Sequence, residues 1–452
     1  MTRVLIPSGA LGLGYERAAL ARGVANRPDI IAIDGGSTDS GPSYLGRGVS
    51  KYSRASTKAE WRELMQARAE AGVPLVIGTA GTCGADSAVD WLYQITEELA
   101  AELGQKLRVA RLYSGQNSAE LTKALAAGQV TPLPAAPPIS PDILASCSNI
   151  VALAGAEQIQ AALATGADIV IAGRTTDTAI IAALPLLRGD HPGGVWHGAK
   201  VGECGAIATT NPATGTIQID FDARGFTFTP LGASARATPY TVSAHMLYEN
   251  SDPFILHEPG GHLDVTGTHY QALNAREVRV EGSKWVPAPY TVKLEGARVA
   301  GYQTVSLALL RDRRYVEGAR AWADAVIGEV HAKVAARLGQ PADAYDLEIR
   351  LIGIDATLGA LENAVSLPTE VGALAIVTAP TEALAAEIAK MVNPYLLHHA
   401  LEEDEPMPTF AFPFSPAEMN RGALYEFCLN HVLQVSDPMV PFRLVVSEVG
   451  NG

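Results

Sequence analysis

In the first part of the chain, short apolar runs alternate with longer segments whose apolar residues recur at helical spacing. The pattern predicts strands at residues 3–7, 29–33, 74–78, 107–112 and 169–172, and helices at residues 15–24, 86–103 and 157–165. Strands that are apolar throughout are typical of a parallel sheet covered by helices on both faces. We therefore predict an α/β fold with a mostly parallel, Rossmann-like sheet.

Beyond residue 205 the pattern changes to an alternation of Thr, Phe and Val, which is typical of antiparallel strands. It predicts strands at residues 216–220, 225–229, 277–280 and 290–294, then a helix at 315–338. After the break at Gln340-Pro341 it predicts strands at 347–352, 372–377 and 442–446, with helices at 381–391 and 423–433. We thus expect two domains. Residues 1–340 form the α/β domain, with a β-rich insertion at about 205–300, and residues 345–452 form a small α+β, ferredoxin-like domain.

Composition narrows the class of protein. The chain has 452 residues, 48% of them hydrophobic and 18% charged, which suits a globular protein with more than one core. A net charge of -14 argues against a nucleic-acid partner. No apolar run approaches the roughly 20 residues of a membrane span, and the first strand leaves no room for a cleavable signal. The 4 cysteines form no CxxC pair, so we expect a reduced, cytoplasmic protein.

The predicted parallel strands end in Gly, Ser, Thr or Asp. Carboxyl ends of parallel strands meet at one edge of the sheet, where open α/β folds bind their ligands. Candidate substrate-binding residues there and in later segments are Ser8, Gly9, Asp34, Ser37, Asp39, Thr79, Cys83, Arg174, Thr175, Tyr248 and Lys293. Lys293 shares a strand face with Glu295, so it could bind an anion or form a surface pair. We expect a small anionic substrate at this edge.

Three of the strand ends have a functional and a structural interpretation. The glycine-rich loop at residues 9–14 could bind an anion through its backbone N–H groups, or form a tight turn. The loop at residues 34–40 could orient a substrate or bind Mg²⁺, or make only local hydrogen bonds. Cys83 precedes a helix whose dipole favours a thiolate, although packing is the alternative. We expect no cofactor and no metal centre, with Mg²⁺ as the alternative.

The candidate catalytic residues are Glu203, Asp177 and His245. Arg174 offers a bidentate fork for a carboxylate or phosphate, and the nearby Asp177 and Glu203 could act as general acid or base. Alternatively, Arg174 and Asp177 form a structural pair that caps the following helix. At helical spacing His245 shares a face with Glu249 and could be a base that Glu249 orients, although packing is the alternative for a single histidine.

Several motifs together resemble the acyclic terpene utilisation AtuA family. They are Gly-Arg-Thr-Thr-Asp at 173–177, Gly-Glu-Cys-Gly at 202–205, the segment 239–250, and Lys-Leu-Glu-Gly at 293–296 followed by Gly301-Tyr302. The resemblance extends over nearly the whole chain, with the C-terminal α+β unit similar to the family's small terminal domain. The loop at residues 8–14 departs from the pattern of the family's longer members, which usually carry an aromatic-containing glycine loop there. The resemblance implies catabolism of branched acyl-CoA or carboxylic acid intermediates by a lyase or hydratase.

Two functions of different classes remain open. The first is a catabolic hydro-lyase or carbon–carbon lyase that acts on a small carboxylic acid or branched acyl-CoA by proton transfer beside a carbonyl. The second is a non-catalytic binding or scaffold subunit of a multi-subunit catabolic complex, docked through the C-terminal unit. In either case we expect a homo-oligomer.

Overall fold

The computed structural model describes residues 1–363 and 366–450. Its strands in chain order are β1 (Thr2–Ile6), β2 (Ile30–Asp34), β3 (Leu75–Gly78), β4 (Leu107–Tyr113), β5 (Val130–Pro132), β6 (Cys147–Ala152), β7 (Ile169–Ala172), β8 (Ile217–Phe221), β9 (Gly225–Pro230), β10 (Ile255–Glu258), β11 (Gly261–Asp264), β12 (His269–Ala272), β13 (Val278–Glu281), β14 (Lys284–Pro287), β15 (Thr291–Leu310), β16 (Asp346–Ile352), β17 (Val371–Ala379), β18 (Glu418–Gln434) and β19 (Arg443–Val449). Its helices are α1 (Arg17–Ala25), α2 (Ser43–Arg47), α3 (Arg54–Ala71), α4 (Asp86–Leu103), α5 (Ser118–Ala126), α6 (Pro141–Ser146), α7 (Ala156–Ala164), α8 (Ala179–Leu187), α9 (Pro192–Gly202), α10 (Pro239–Ala244), α11 (Arg313–Glu317), α12 (Ala319–Leu338) and α13 (Glu382–His398).

The chain divides into two compact units. The first comprises residues 1–298 and 427–452, and the second comprises residues 299–426. This division differs from the domain boundary predicted at residues 340–345. The reason is that α12, which precedes that point, packs on β16 and on the core of the second unit. The boundaries instead fall inside two long strands, β15 and β18, which helical periodicity alone does not reveal.

A ten-stranded mixed sheet forms the centre of the first unit, in the order β12-β13-β9-β8-β1-β2-β3-β7-β4-β19. Strands β1, β2, β3, β7 and β4 are parallel, and their antiparallel neighbours β8 and β19 flank them. The mixed α/β class is therefore confirmed. In the predicted β-rich region, β8, β9, β12 and β13 extend the large sheet, whereas β10, β11 and β14 form a small separate sheet.

The parallel strands are buried on both faces because helices cover each side. Ile31 and Ile77 pack in one core with residues of α3 and α4, such as Trp61. Ile30 and Val76, which alternate with them, pack on the opposite face in a core that includes residues of α7, α8 and α9. Alternation along a strand sends successive side chains to opposite faces, so both faces must be apolar. This two-sided burial leaves the strand ends as the places where polar side chains can collect.

The second unit contains its own sheet and core. β16 and β17 pair antiparallel, and β17 pairs antiparallel with residues 302–310 of β15. Helices α12 and α13 supply much of the core, with Trp322 and Ile388 fully buried. The helix predicted at residues 423–433 is wrong, because this segment belongs to β18 and pairs with β5 at residues 431–433. Of the helices in the described part of the chain, none has the length and apolar character needed to cross a bilayer.

Candidate active site

A pocket of about 380 Å³ lies in the first unit, against the carboxyl ends of β1 and β2. Its wall includes polar residues from several segments that are far apart in sequence. Eight of the residues that the sequence nominated line it together, namely Ser8, Gly9, Asp34, Ser37, Asp39, Asp177, Glu203 and Tyr248. The structure thus brings most of the predicted strand-end site into one cavity.

The glycine-rich loop after β1 makes close contacts within the protein rather than forming an open anion-binding loop. The N–H of Gly12 donates to Glu60 Oε2 at 2.8 Å, so a carboxylate of the chain already accepts from this loop. A Cβ on Gly9 would lie 2.9 Å from the carbonyl carbon of Cys204, which explains why glycine is needed at this close approach. Ser8 donates to the carbonyl of Ala10 at 2.8 Å. The tight-turn interpretation accounts for these contacts, and the loop still contributes to the pocket wall.

The loop after β2 also combines local hydrogen bonds with exposure to the pocket. The carboxylate of Asp34 accepts from the N–H groups of Gly35 and Gly36 at 2.8 and 3.1 Å. Burial and the nearby charge of Asp177 raise the pKa of Asp34 well above its ordinary value. Ser37 donates to Asp39 Oδ2 at 2.6 Å. These turn contacts fix the loop, and its carboxyl groups form one acidic side of the cavity.

Arg174 lies behind the pocket and is bound within the protein. Its Nε and Nη2 donate to the two carboxylate oxygens of Glu295 at 3.0 and 3.3 Å, and both side chains are buried. Nη1 lies 3.5 Å from Asp177 Oδ1 and also donates to the carbonyl of Thr175 at 3.0 Å. The expectation that Arg174 clamps a substrate anion therefore needs correction, because its donors are already used. Its contacts instead position Asp177.

Asp177 occupies the end of the β7–α8 turn and lines the pocket with a partly exposed side chain. The following helix begins at Ala179, and its N-cap is Thr178, whose side chain makes no capping hydrogen bond among the described residues. The alternative interpretation of Asp177 as a helix cap is therefore not what the structure shows. Burial raises the pKa of Asp177 despite the opposing charge of Arg174. Asp177 is an oriented carboxyl group that faces the cavity.

Glu203 follows the last residue of α9 and has a cation of its own. Lys200, one turn earlier in a helix of small and apolar residues, lies with its Nζ 2.5 Å from Glu203 Oε1. The same Nζ donates to the carbonyl of Tyr248 at 2.8 Å. Burial raises the pKa of Glu203 to about 8, because its effect against ionisation is larger than the opposite effect of the nearby Lys200. Glu203 thus lines the pocket as a second fixed carboxyl group.

His245 is buried beside the pocket rather than in its wall. The α10 helix ends at Ala244, and Glu249 follows with a φ of 51°, so the two residues do not share a helical face as predicted. The ring of His245 stacks on Tyr248 with centroids 5.2 Å apart. Its Nε2 is buried without a hydrogen-bond partner among the described residues. Burial, with the nearby charge of Lys200, lowers the pKa of His245 to about 4. Tyr248 and Glu249 themselves reach the pocket.

Besides Arg174 and His245, four further nominated residues lie outside the pocket wall. Thr79, Cys83 and Thr175 are fully buried, and burial raises the pKa of the Cys83 thiol. The hydroxyl of Thr79 accepts from Arg174 at 3.2 Å, which makes it part of the support for that guanidinium. Lys293 lies 3.3 Å from Glu295 and so belongs to the same buried network.

The sequence interpretation missed two residues that shape the site. Lys200 is the only Lys or Arg in α9 and lies three residues before Glu203. A lysine in a helix of mostly small and apolar residues, at this spacing from a glutamate, is a signal that the sequence itself contains. The side chain of Glu258 is partly buried and accepts from the Thr178 hydroxyl at 2.5 Å. Burial raises the pKa of Glu258 to about 7 despite that hydrogen bond. Its position beside Thr178 depends on the pairing of β10 and β11, which local spacing does not predict.

The fold and the pocket define a mixed α/β protein with an acidic cavity near the carboxyl ends of parallel strands. Residues 48–188 and 203–404 match the family model of the acyclic terpene utilisation family protein AtuA. Because the match extends over well more than half of the chain, this chain belongs to the AtuA family, as its motifs indicated. No curated protein and no solved structure matches the chain.

Proposed function

We propose that the protein is a catabolic lyase or hydratase that transfers a proton beside the carbonyl of a small carboxylic acid or branched acyl-CoA. The observation that carries the proposal is a pair of carboxyl groups in one pocket, each held by a buried cation three residues earlier. Arg174 holds Asp177, and Lys200 holds Glu203. Proton transfer beside a carbonyl requires an acid or base fixed within reach of the carbon that loses or gains the proton, and a carboxyl group can serve as either.

The rest of the pocket supports a substrate that is partly apolar. Leu13 and Ile207 line the cavity and are 64% and 43% exposed, so part of its wall is apolar and accessible to a ligand. Pro212 and Ala213 lie on the same wall. An apolar wall beside acid–base groups suits a short branched carbon chain, and the family's description, acyclic terpene utilisation, agrees with such a chain. Lys51 is the pocket's own cation for an anionic group.

Either Asp177 or Glu203 can carry the proton in this proposal. Arg174 and Lys200 act as positioning residues, since both are buried and bound to the protein. In a dehydration, one of the two groups, as a carboxylate, would remove the proton next to the carbonyl, and the electrons of that C–H bond would form the double bond. The other group, as a carboxylic acid, would give its proton to the departing hydroxyl so that it leaves as water; hydration is the reverse. The Rossmann-like and ferredoxin-like descriptions, the cytoplasmic location and the homo-oligomer remain part of the proposal.

Deuterium exchange tests the proposal without knowledge of the natural substrate. A panel of branched acyl-CoA esters and hydroxy acids is incubated with the protein in D₂O, and NMR detects deuterium next to the carbonyl. We expect exchange with at least one compound and a loss of about 100-fold or more in Asp177→Asn or Glu203→Gln, the usual scale of general acid–base catalysis. Glu249→Gln is the matched control, because Glu249 lines the pocket but forms no ion pair with a buried cation in the described part of the chain.

The outcomes separate the two classes of function. Exchange that survives in both variants would remove Asp177 and Glu203 from the chemistry. Binding of a panel compound without exchange by the unmodified protein would favour the non-catalytic binding or scaffold subunit. Loss of exchange in Glu249→Gln to the same extent would point to the overall charge of the pocket rather than to the two held carboxyl groups.

A further inference from the structure

We infer that Glu203, Cys204 and His245 form a binding site for a divalent metal ion of the zinc type. A carboxylate oxygen, the thiol sulfur and a ring nitrogen of these residues all lie within 4.8 Å of one another in the described part of the chain. Tetrahedral zinc with bonds of about 2.0–2.3 Å holds its ligand atoms roughly 3.5 Å apart. Small side-chain rotations would bring the three ligand atoms to that separation. The inference deepens the proposed function and rests on it for the assignment of the pocket.

A second, independent feature points to a ligand at this place. His245 is 96% buried, since only 4% of it is exposed, yet its Nε2 has no hydrogen-bond partner among the described residues. A buried, unpaired polar atom is costly unless something bonds to the group. Imidazole nitrogen, thiolate sulfur and carboxylate oxygen are all atoms that zinc takes as ligands in proteins. A metal ion bound to the ring would supply the polar partner that the protein does not.

The backbone holds the ligands at one end of α9. Glu203 and Cys204 directly follow the helix, and His245 begins the short turn after α10. Gly205 has a φ of 62°, and a Cβ there would lie 2.8 Å from the backbone nitrogen of Gly9, so this segment is pressed against the β1 loop. Close packing of this kind fixes the backbone of the segment that carries Glu203 and Cys204. The position is therefore built into the fold rather than into a mobile loop.

The charges around the site favour a cation despite the nearby ammonium. Lys200 contacts Oε1 of Glu203, which leaves Oε2 for an ion. Carboxyl groups of Asp177 and Glu249, from neighbouring segments, line the same pocket as Glu203 and Cys204, so groups that can carry negative charge lie near the thiol. A divalent ion would displace the thiol proton to solvent and be held as a thiolate complex. Sulfur and imidazole ligands select zinc or cobalt over Mg²⁺, so we expect zinc or cobalt at this site.

The site has the character of a catalytic metal centre. Three protein ligands leave the fourth tetrahedral position open, and both Glu203 and Cys204 line the pocket. The open position would therefore face the cavity, where the ion could polarise a substrate carbonyl or a bound water. With Glu203 bound to the ion, Asp177 remains as the carboxyl group for proton transfer. The sequence did not suggest this site because His245 lies about forty residues after Cys204.

The test is metal binding, which needs no substrate. The full-length protein is stripped with a chelator, dialysed against Zn²⁺ or Co²⁺, and analysed for bound metal. We expect one ion per chain and, with Co²⁺, the intense near-ultraviolet absorption of a thiolate–cobalt bond. Cys204→Ser should abolish that band and weaken binding by more than the roughly 10–100-fold that loss of an outer-shell partner costs. Cys147→Ser, which removes a thiol elsewhere in the same unit, should leave the band and the affinity unchanged.

A buried histidine can matter for folding, so His245→Gln is compared with His245→Ala by circular dichroism before metal analysis. A folded variant of either kind should lose affinity for Zn²⁺. The inference is overturned if the unmodified protein binds less than one equivalent, or if the cobalt–thiolate band persists in Cys204→Ser. If metal binds as expected but no deuterium exchange occurs, the metal site stands and the proposed function fails. If exchange occurs without bound metal, the proposed function stands and the metal site fails.

Discussion

The buried pair of Arg174 and Glu295 allows the effect of one substitution to be worked out from the structure. Glu295→Gln keeps the size of the side chain but removes its charge. Among the described residues, the guanidinium of Arg174 is then left with Asp177 alone as a carboxylate partner in an ion pair. Removing one partner of a buried ion pair costs roughly 3–5 kcal/mol, because the remaining charge is no longer compensated. The hydroxyl of Thr38, which donates to Glu295 at 3.0 Å, also loses a charged acceptor.

Proton binding gives a second measure of the same interaction. Burial opposes ionisation of Glu295, but the charge and hydrogen bonds of Arg174 outweigh it and lower the pKa from 4.5 to about 2. At about 1.4 kcal/mol for each pKa unit, the carboxylate stabilises the fold by about 3 kcal/mol at neutral pH. Since the folded-state pKa lies below the unfolded value, this stabilisation is complete above about pH 4.5 and is lost as the pH falls towards 2.

Thermal unfolding followed by circular dichroism measures the effect. With roughly 2 °C per kcal/mol for a large domain, Glu295→Gln should lower the Tm of the first unit by about 6 °C at pH 7. The difference from the unmodified protein should narrow as the pH falls below 4.5. Glu120→Gln is the control, because its pair with Lys123 is exposed and should matter by less than about 1 kcal/mol. A Tm within 2 °C of the unmodified protein at pH 7, or a gap that widens in acid, would refute the reasoning.

Three further substitutions or treatments have expected outcomes. Gly84→Ala should lower the Tm strongly, since its Cβ would lie 2.3 Å from a backbone nitrogen of the β7–α8 turn. Gly104 has a similar positive φ but open space around it, so Gly104→Ala should lower the free energy of unfolding by only about 1–2 kcal/mol. Trp196→Ala should cost about 3–5 kcal/mol in urea unfolding, because this buried indole stacks on a β14 tryptophan; a loss below 1 kcal/mol would contradict that. A disulfide oxidant should cross-link Cys147 to Cys428, whose sulfur atoms lie 3.0 Å apart, and peptide mapping would show whether another pair forms instead.

The elements of the parallel sheet could be predicted because each strand carries its own signal. The run at residues 169–172 is apolar throughout, and the helix predicted at residues 86–103 matches α4 to the residue. The end of the chain could not be predicted in the same way. β18 carries apolar residues at spacings that fit a helix as well as a strand, and its pairing within a sheet, for example with β5, decides between them. Short periodic runs are ambiguous until tertiary contacts select one period.

The location of the site was more predictable than the roles within it. Polar residues at strand ends had to meet at one edge of the sheet, and Asp34 and Asp177 do line the same pocket. The role of Arg174 could not be predicted, because its partner Glu295 comes from β15, more than one hundred residues away in the chain. An arginine with no visible partner resembles a ligand-binding group. The structure shows that the partner was present, in a strand that local spacing cannot place.

The charge of the pocket links the proposed function to the proposed metal site. The carboxyl groups in its wall are those of Asp34, Asp39, Asp177, Glu203 and Glu249, against a single lining cation, Lys51. An ionised carboxylate about 5 Å from an anionic substrate costs roughly 3 kcal/mol at an effective dielectric constant near 20. Such a wall therefore repels a carboxylic acid unless its own groups are protonated or a cation neutralises them. Burial raises the pKa of Asp34 and Asp177, which removes part of the charge, and a divalent ion on Cys204 would remove more. Coupling between two bound ligands is reciprocal. An anion that binds more tightly when the metal ion is present must therefore also raise the affinity of the protein for the ion.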